Sequence, residues 1–113
     1  MRLSEIQRLL GCEFIAGDLS SDPDIKQCFA ADLMSDVLAF STSDAILLTG
    51  LASIQSVHTA DVADLRAIVF VHDKRPGPQV VELARSKKIP LLTTKHNMFD
   101  ACGTLHRGGL LGA

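Results

Sequence analysis

Four groups of side chains in this sequence have the types and spacings that do chemistry. The first is Thr49-Gly50-Leu51-Ala52-Ser53-Ile54-Gln55. Thr49, Gly50, Ser53 and Gln55 read as a seat for an anion. A glycine lets the backbone come close, and the free N–H groups of a helix start point outward along the positive end of its dipole. Leu51 is bulky, and the sequence carries neither a GxGxxG run nor a P-loop lysine. The plain alternative is a turn in which Ser53 caps a helix. The second group is Thr93, Thr94 and His96, at another strand-to-helix turn. Either they line the same crevice as Gly50 or they are ordinary turn residues. The third is His58 with Asp61, three apart and able to touch on one helix face. A histidine beside a carboxylate is general-base chemistry, but no nucleophile stands near them, so an ion pair or a subunit seam is the plainer expectation. The fourth is Cys102 with His106, at a spacing that grips metals. Two ligands do not make a site, so no metal is expected and Cys102 reads as a core residue. Asp18, Asp22 and Asp24 imitate a calcium loop, but its glycine and closing glutamate are missing.

These groups need elements to position them. Residues 45–49 and 67–71 are short apolar runs of strand length. Between them Ile54, Val57, Val62 and Leu65 recur at helical spacing, and His58 and Asp61 fall inside that stripe. Two strands joined by one helix form a crossover and lie parallel. The Gly50 turn then sits at the carboxyl end of the sheet, where ligands bind in open α/β folds. Further strands are expected near 12–16, 25–30 and 89–93. The first two are joined by a short loop, which makes them candidates for an antiparallel pair. Pro90 points its strand toward an edge or limits pairing at its start. Ser4 with Gln7 reads as a capping box for the first helix, Gly11 as its left-handed stop, and Asp32 as the cap of a helix over 33–39. Pro78 suits a first helical position and Asn97 caps the last helix, stopped by Gly108-Gly109. The tail, Leu110 to Ala113, either frays or docks on a partner. The expectation is one α/β domain over 1–113. It is a three-layer α/β/α sandwich with a mixed, mostly parallel sheet of about five strands.

Composition narrows the function. Hydrophobic residues make up 47% of 113 positions and mean hydropathy is +0.24, high for a chain this short. A parallel sheet buried on both faces would raise it, and so would a surface buried against a second copy. Net charge is −2, with no Trp, no Tyr and no dense basic run, which argues against a nucleic-acid partner. No apolar span approaches about 18 residues, so no membrane partner is expected and the chain reads as cytoplasmic. Three cysteines (Cys12, Cys28, Cys102) without a CxxC make neither a disulfide framework nor a zinc ribbon.

Three stretches resemble a known family. Asp32-Leu33-Met34-Ser35-Asp36-Val37-Leu38 is similar to the DL(L/M)SDV segment of stand-alone DRTGG domains. Ala67-Ile68-Val69-Phe70 is similar to their second central strand, and Ala84 through Thr94 (ARSKKIPLLTT) to their passage from helix to strand. The naming sequence Asp-Arg-Thr-Gly-Gly is absent, and its nearest trace is Thr49-Gly50 followed by Leu51. Such domains accompany CBS domains in regulatory pyrophosphatases and precede phosphotransacetylase, and a related fold precedes the kinase in HPr kinase. The resemblance implies a non-catalytic regulatory or assembly module without a cofactor. In that family such domains form dimer contacts and help bind a nucleotide such as diadenosine tetraphosphate. For this chain, which lacks the naming motif, the expectation is a homodimer that tunes a partner enzyme and senses a small ligand, with a nucleotide as the candidate. The alternatives from the residues alone are a small-molecule enzyme using the crevice, and a purely structural adaptor.

Overall fold

The computed structural model describes residues 1–17 and 20–113. Along the chain run α1 (Leu3–Leu10), β1 (Glu13–Ala16), β2 (Gln27–Ala30), α2 (Met34–Phe40) and β3 (Ile46–Thr49). Then come α3 (Ile54–Val62), β4 (Ala67–Phe70), α4 (Pro78–Lys87), β5 (Leu91–Thr93), α5 (Met98–Arg107) and β6 (Leu111–Gly112). One six-stranded sheet has the order β1-β5-β4-β3-β2-β6. All neighbours are parallel except β1, which runs antiparallel to β5. This is the expected mixed, mostly parallel α/β sandwich, with six strands instead of about five.

The crossover at the centre is present. Ile46 pairs with Ala67 and Thr49 with Phe70 in parallel register, and every residue of β3 and β4 is buried. From β2 to β5 each connection steps one strand in the same direction, so right-handed crossovers stack α2, α3 and α4 on one face. There Met34, Val37, Val57, Ala60, Val80 and Ala84 pack on Leu47, Ile68, Phe70 and Leu91. Helix α5 instead returns across the other face to reach β6. It lies beside α1, where Leu3, Ile6, Leu10, Ala101 and Leu105 pack on Ile46, Leu48, Val69 and Leu92. A sheet covered on both sides accounts for much of the high hydropathy.

Several local expectations need correction. β1 and β2 do not pair. β1 lies at one edge beside β5 and β2 lies between β3 and β6, and the residues leading into β2 are held by Leu3 N–H on Pro23 O (3.1 Å) and Ile25 N–H on Met1 O (2.7 Å). The tail neither frays nor waits for a partner: β6 adds parallel to β2, and Leu110 is buried. Pro90 precedes β5, which is an interior strand, and its carbonyl accepts from Ile68 N–H. Asn97 caps α5, Pro78 opens α4 and Gly11 closes α1 left-handed, as their positions implied. Ser4, however, is no cap. Its N–H and hydroxyl both donate to the carboxylate of Asp22, at 2.9 and 2.7 Å. A residue 18 positions away therefore satisfies the start of α1. Asp24 binds the amino terminus of Met1. Of the imitation calcium loop, Asp18 lies outside the described residues.

The bonds from Ser4 hold the Asp22 carboxyl below its ordinary pKa. A lowered folded pKa adds stability above the ordinary carboxylate value and loses it as pH falls through the folded one. Asp22→Ala is expected to lower the melting temperature at pH 7. The gap to the parent should close on acidification below pH 4, as a thermal melt series would record.

The stripe expected on α3 is also displaced. Its buried face is Ser56, Val57, Thr59 and Ala60, while Ile54 and Val62 are 44% and 64% exposed. Between two neighbouring helices, small residues permit the closest approach to the sheet, and Ser56 is tolerated there because its hydroxyl donates to Ser53 O at 2.8 Å. His58 and Asp61 consequently face outward and are not a buried polar pair. Asp61 meets Lys87 of α4 at 3.4 Å.

Candidate functional site

The carboxyl ends of β2, β3, β4 and β5 share one edge of the sheet, and α2, α3, α4 and α5 begin there. Four positive helix ends thus converge. At the starts of α2, α3 and α4 the residues Leu33, Ser53 and Gly77 make no side-chain cap.

Adjacent crossovers that leave on opposite faces open a crevice between their strands. Here that point lies between β4, followed by α4, and β5, followed by α5. The loops close it themselves. After Val71, His72 and Asp73 adopt successive left-handed conformations at φ 60° and 56°. Their N–H groups donate to His96 O (2.9 Å) and Thr94 O (2.7 Å), and the Thr93 hydroxyl donates to Lys74 O (2.7 Å). Two left-handed non-glycine residues in sequence are a strained choice, maintained here by these three bonds. Their effect is to turn the chain back, so that Lys74 reaches over the β3 turn.

At that turn Asp32 occupies the position expected of an anion. Its Oδ1 accepts from Gly50 N–H at 2.7 Å and from the Thr49 hydroxyl at 3.2 Å. The Thr49 oxygen in turn accepts from Leu51 N–H at 3.1 Å. Asp32 is therefore not the cap of α2, which starts two residues later behind Leu33. A Cβ built on Gly50 would lie 3.3 Å from Lys74 Nζ and 3.4 Å from Asp32 Oδ1. The glycine leaves a notch bounded by an ammonium and a carboxylate. Lys74 makes no ion pair among the described residues. Arg75 beside it is held by Glu13 and Asp73. That guanidinium keeps the Glu13 carboxyl below its ordinary pKa.

The expected ligand residues divide. Thr49, Thr93 and Thr94 are buried, and their hydroxyls tie the framework; Thr94 donates to Leu10 O at 2.6 Å, fastening α1 to β5. Gly50, Ser53, Gln55 and His96 stay at the surface of the edge. The Ser53 hydroxyl is shielded from solvent and has no hydrogen-bond partner among the described residues. His58 and Asp61 lie away from the edge, along and beyond the middle of α3. Sequence reasoning missed Asp32 and Lys74. Each follows a parallel strand at its carboxyl end, which was the available signal, but Asp32 reads equally well as a helix cap.

A second cleft of ≈ 750 Å³ opens at the opposite, amino end of the strands, walled by Asp44, Asp61, Asp64, Arg66, Arg85 and Lys87. Arg66 pairs with Asp44 at 3.0 Å there. The negative ends of α3 and α4 point into it, so its field is balanced and it does not favour an anion.

The cysteines are thiols. Burial raises Cys12 and Cys28 to about 12, and raises Cys102 as well. Because the thiolate is the reactive form, alkylation of Cys12 and Cys28 at pH 8 is expected to require unfolding. Mass spectrometry after iodoacetamide treatment, with and without denaturant, checks this. Among the described residues no three His, Cys, Asp or Glu gather as metal ligands, and no helix is long and apolar enough to cross a membrane.

No family model matches this chain, and no curated protein matches it either. A solved structure does. It is the CBS and DRTGG domains of the regulatory region of Clostridium perfringens pyrophosphatase, complexed with its activator, diadenosine tetraphosphate. The TM-score is 0.73 at 18% identity, over 91% of this chain and 45% of that one. The likeness shows a shared fold, and the present chain corresponds to less than half of that regulatory region.

Proposed function

We propose that this chain is a non-catalytic regulatory or assembly module. It binds a small anionic ligand, such as a nucleotide, at the carboxyl edge of its sheet and associates with a second copy of itself. The observation that carries the ligand reading is the β3 turn. The uncapped α3 start offers N–H groups to a phosphate oxygen beside Gly50, and the Lys74 ammonium, with no ion-pair partner among the described residues, adds positive charge at the same turn. The similar pyrophosphatase region, complexed with a dinucleotide activator, supports the ligand class and the regulatory role. The regulatory reading implies an enzyme under its control as partner. Three free cysteines suit a reducing compartment, which supports a cytoplasmic location for the module.

Self-association is supported by the outer face of α2 and α3. Leu33, Leu38 and Phe40 are 60%, 52% and 67% exposed, and Ile54 and Val62 add to them. Apolar groups in this number on one layer are unusual for a monomer. Light scattering on the parent is expected to give twice 12.1 kDa at micromolar concentration, and Phe40→Asp to give 12.1 kDa with an unchanged circular dichroism spectrum. A parent at 12.1 kDa removes the dimer from the proposal.

The ligand reading is tested by thermal shift and calorimetry with ATP and diadenosine tetraphosphate. Stabilisation without turnover is the expected result, and Lys74→Gln should weaken binding about tenfold, the loss of one charged contact. Hydrolysis of either compound by the purified chain overturns the non-catalytic assignment.

A further inference from the structure

The notch at Gly50 has a chemistry of its own. On one side stands Lys74 Nζ, a donor with no ion-pair partner among the described residues. On the other stands Asp32, whose Oδ1 takes both internal hydrogen bonds and whose Oδ2, 3.7 Å from the place of the missing Cβ, receives none among the described residues. The two charges face the same opening but do not meet as an ion pair. A phosphate oxygen satisfies Lys74 but is repelled by Asp32, since both carry negative charge. A hydroxyl satisfies both, because it accepts from the ammonium and donates to the carboxylate.

We propose that the Asp32–Lys74 notch is a hydroxyl-recognition subsite. Its ligand carries sugar hydroxyls beside its anionic group, and Asp32 is the residue that makes the site select a nucleotide over a bare polyphosphate. This rests on the ligand reading above and adds its specificity. Asp32 has two duties here. It braces the β3 turn through Gly50 N–H, and it offers a free acceptor to the ligand. A site built to hydrogen-bond a hydroxyl discriminates strongly against the analogue that lacks it.

The test compares ATP, 2′,3′-dideoxy-ATP and inorganic tripolyphosphate by calorimetry on the full chain. The parent is expected to prefer ATP over the dideoxy compound by ~10-fold or more. Asp32→Asn keeps an acceptor oxygen for Gly50 N–H and removes the charge. It should bring the ratio of the two nucleotides toward one and tighten tripolyphosphate several-fold. Gly50→Ala fills the notch with a methyl group at a backbone conformation open to alanine, and should weaken ATP selectively while the melting temperature stays near that of the parent. If the parent binds both nucleotides equally, or if Asp32→Asn leaves their ratio unchanged, the subsite is wrong although the anion site stands. If the parent binds none of the three at millimolar concentration, the ligand reading itself falls and the subsite with it.

Discussion

Phe70→Ala is expected to destabilise the fold by about 3–5 kcal/mol, the range for removing a fully buried aromatic ring. Phe70 is 0% exposed in a central strand. Its ring belongs to the core formed by α2, α3 and α4 against the sheet. Total stabilities of single domains run about 5–15 kcal/mol, so this one change would remove a large part of it. The consequence extends to the candidate site. Phe70 O accepts from Thr94 N–H at 2.9 Å, one of the bonds by which the β5 turn supports the strained His72-Asp73 segment. Urea unfolding should show a much lower midpoint with the slope little changed. Phe70→Leu, which keeps most of the volume, should cost less than about 1.5 kcal/mol. A midpoint unmoved by Phe70→Ala would contradict the two-sided core.

The second large effect is expected at Gly17. Its φ is +101°, and a Cβ there would stand 2.7 Å from Pro90 Cα, with Pro90 N and Cβ each at 3.2 Å. The obstacle is proline backbone at the entry to β5, which cannot swing aside as a long side chain would. Overpacking costs about 1–3 kcal/mol, and a left-handed or similar backbone adds about 1–2 kcal/mol for a residue with a Cβ. Gly17→Ala should therefore lose about 3 kcal/mol or more. Gly11→Ala is the control. Its φ is +59°, but nothing lies within 4 Å of the added carbon. Only the conformational cost remains, about 1–2 kcal/mol. Equal losses at the two glycines in chemical denaturation would show that close approach to Pro90 is not what requires Gly17.

Much of the architecture was legible in the chain because it depends on local pattern. The apolar runs at 45–49 and 67–71 are strands within a residue of their expected ends, and they pair in the expected direction. Pro78, Asn97 and Gly11 act where they stand because their roles involve only their own turn. The misplacements share a different cause. Ser4 and Asp32 both look like helix caps, yet Ser4 is itself capped by Asp22, and Asp32 braces a turn 18 residues further on. The α3 stripe misled because Ile54 and Val62 suggest a buried face that the small residues Ser56 and Ala60 actually provide. Periodicity ranks hydrophobicity, but a helix flanked by two others buries what fits.

By itself the sequence determined the fold class, the central parallel crossover and which turns gather at the carboxyl edge of the sheet. All three follow from hydrophobic runs of strand and helix length and from the handedness of the connections. Only the tertiary structure decided what stands at that edge. The loop after β4 bends back through two left-handed residues and carries Lys74 to the β3 turn, while Asp32 arrives from β2 and takes the amide of Gly50. The reason is physical: a side chain's hydrogen-bond partner is chosen by distance in space among all groups the fold brings near, and a carboxylate or a lysine carries no local pattern that names which one it will meet.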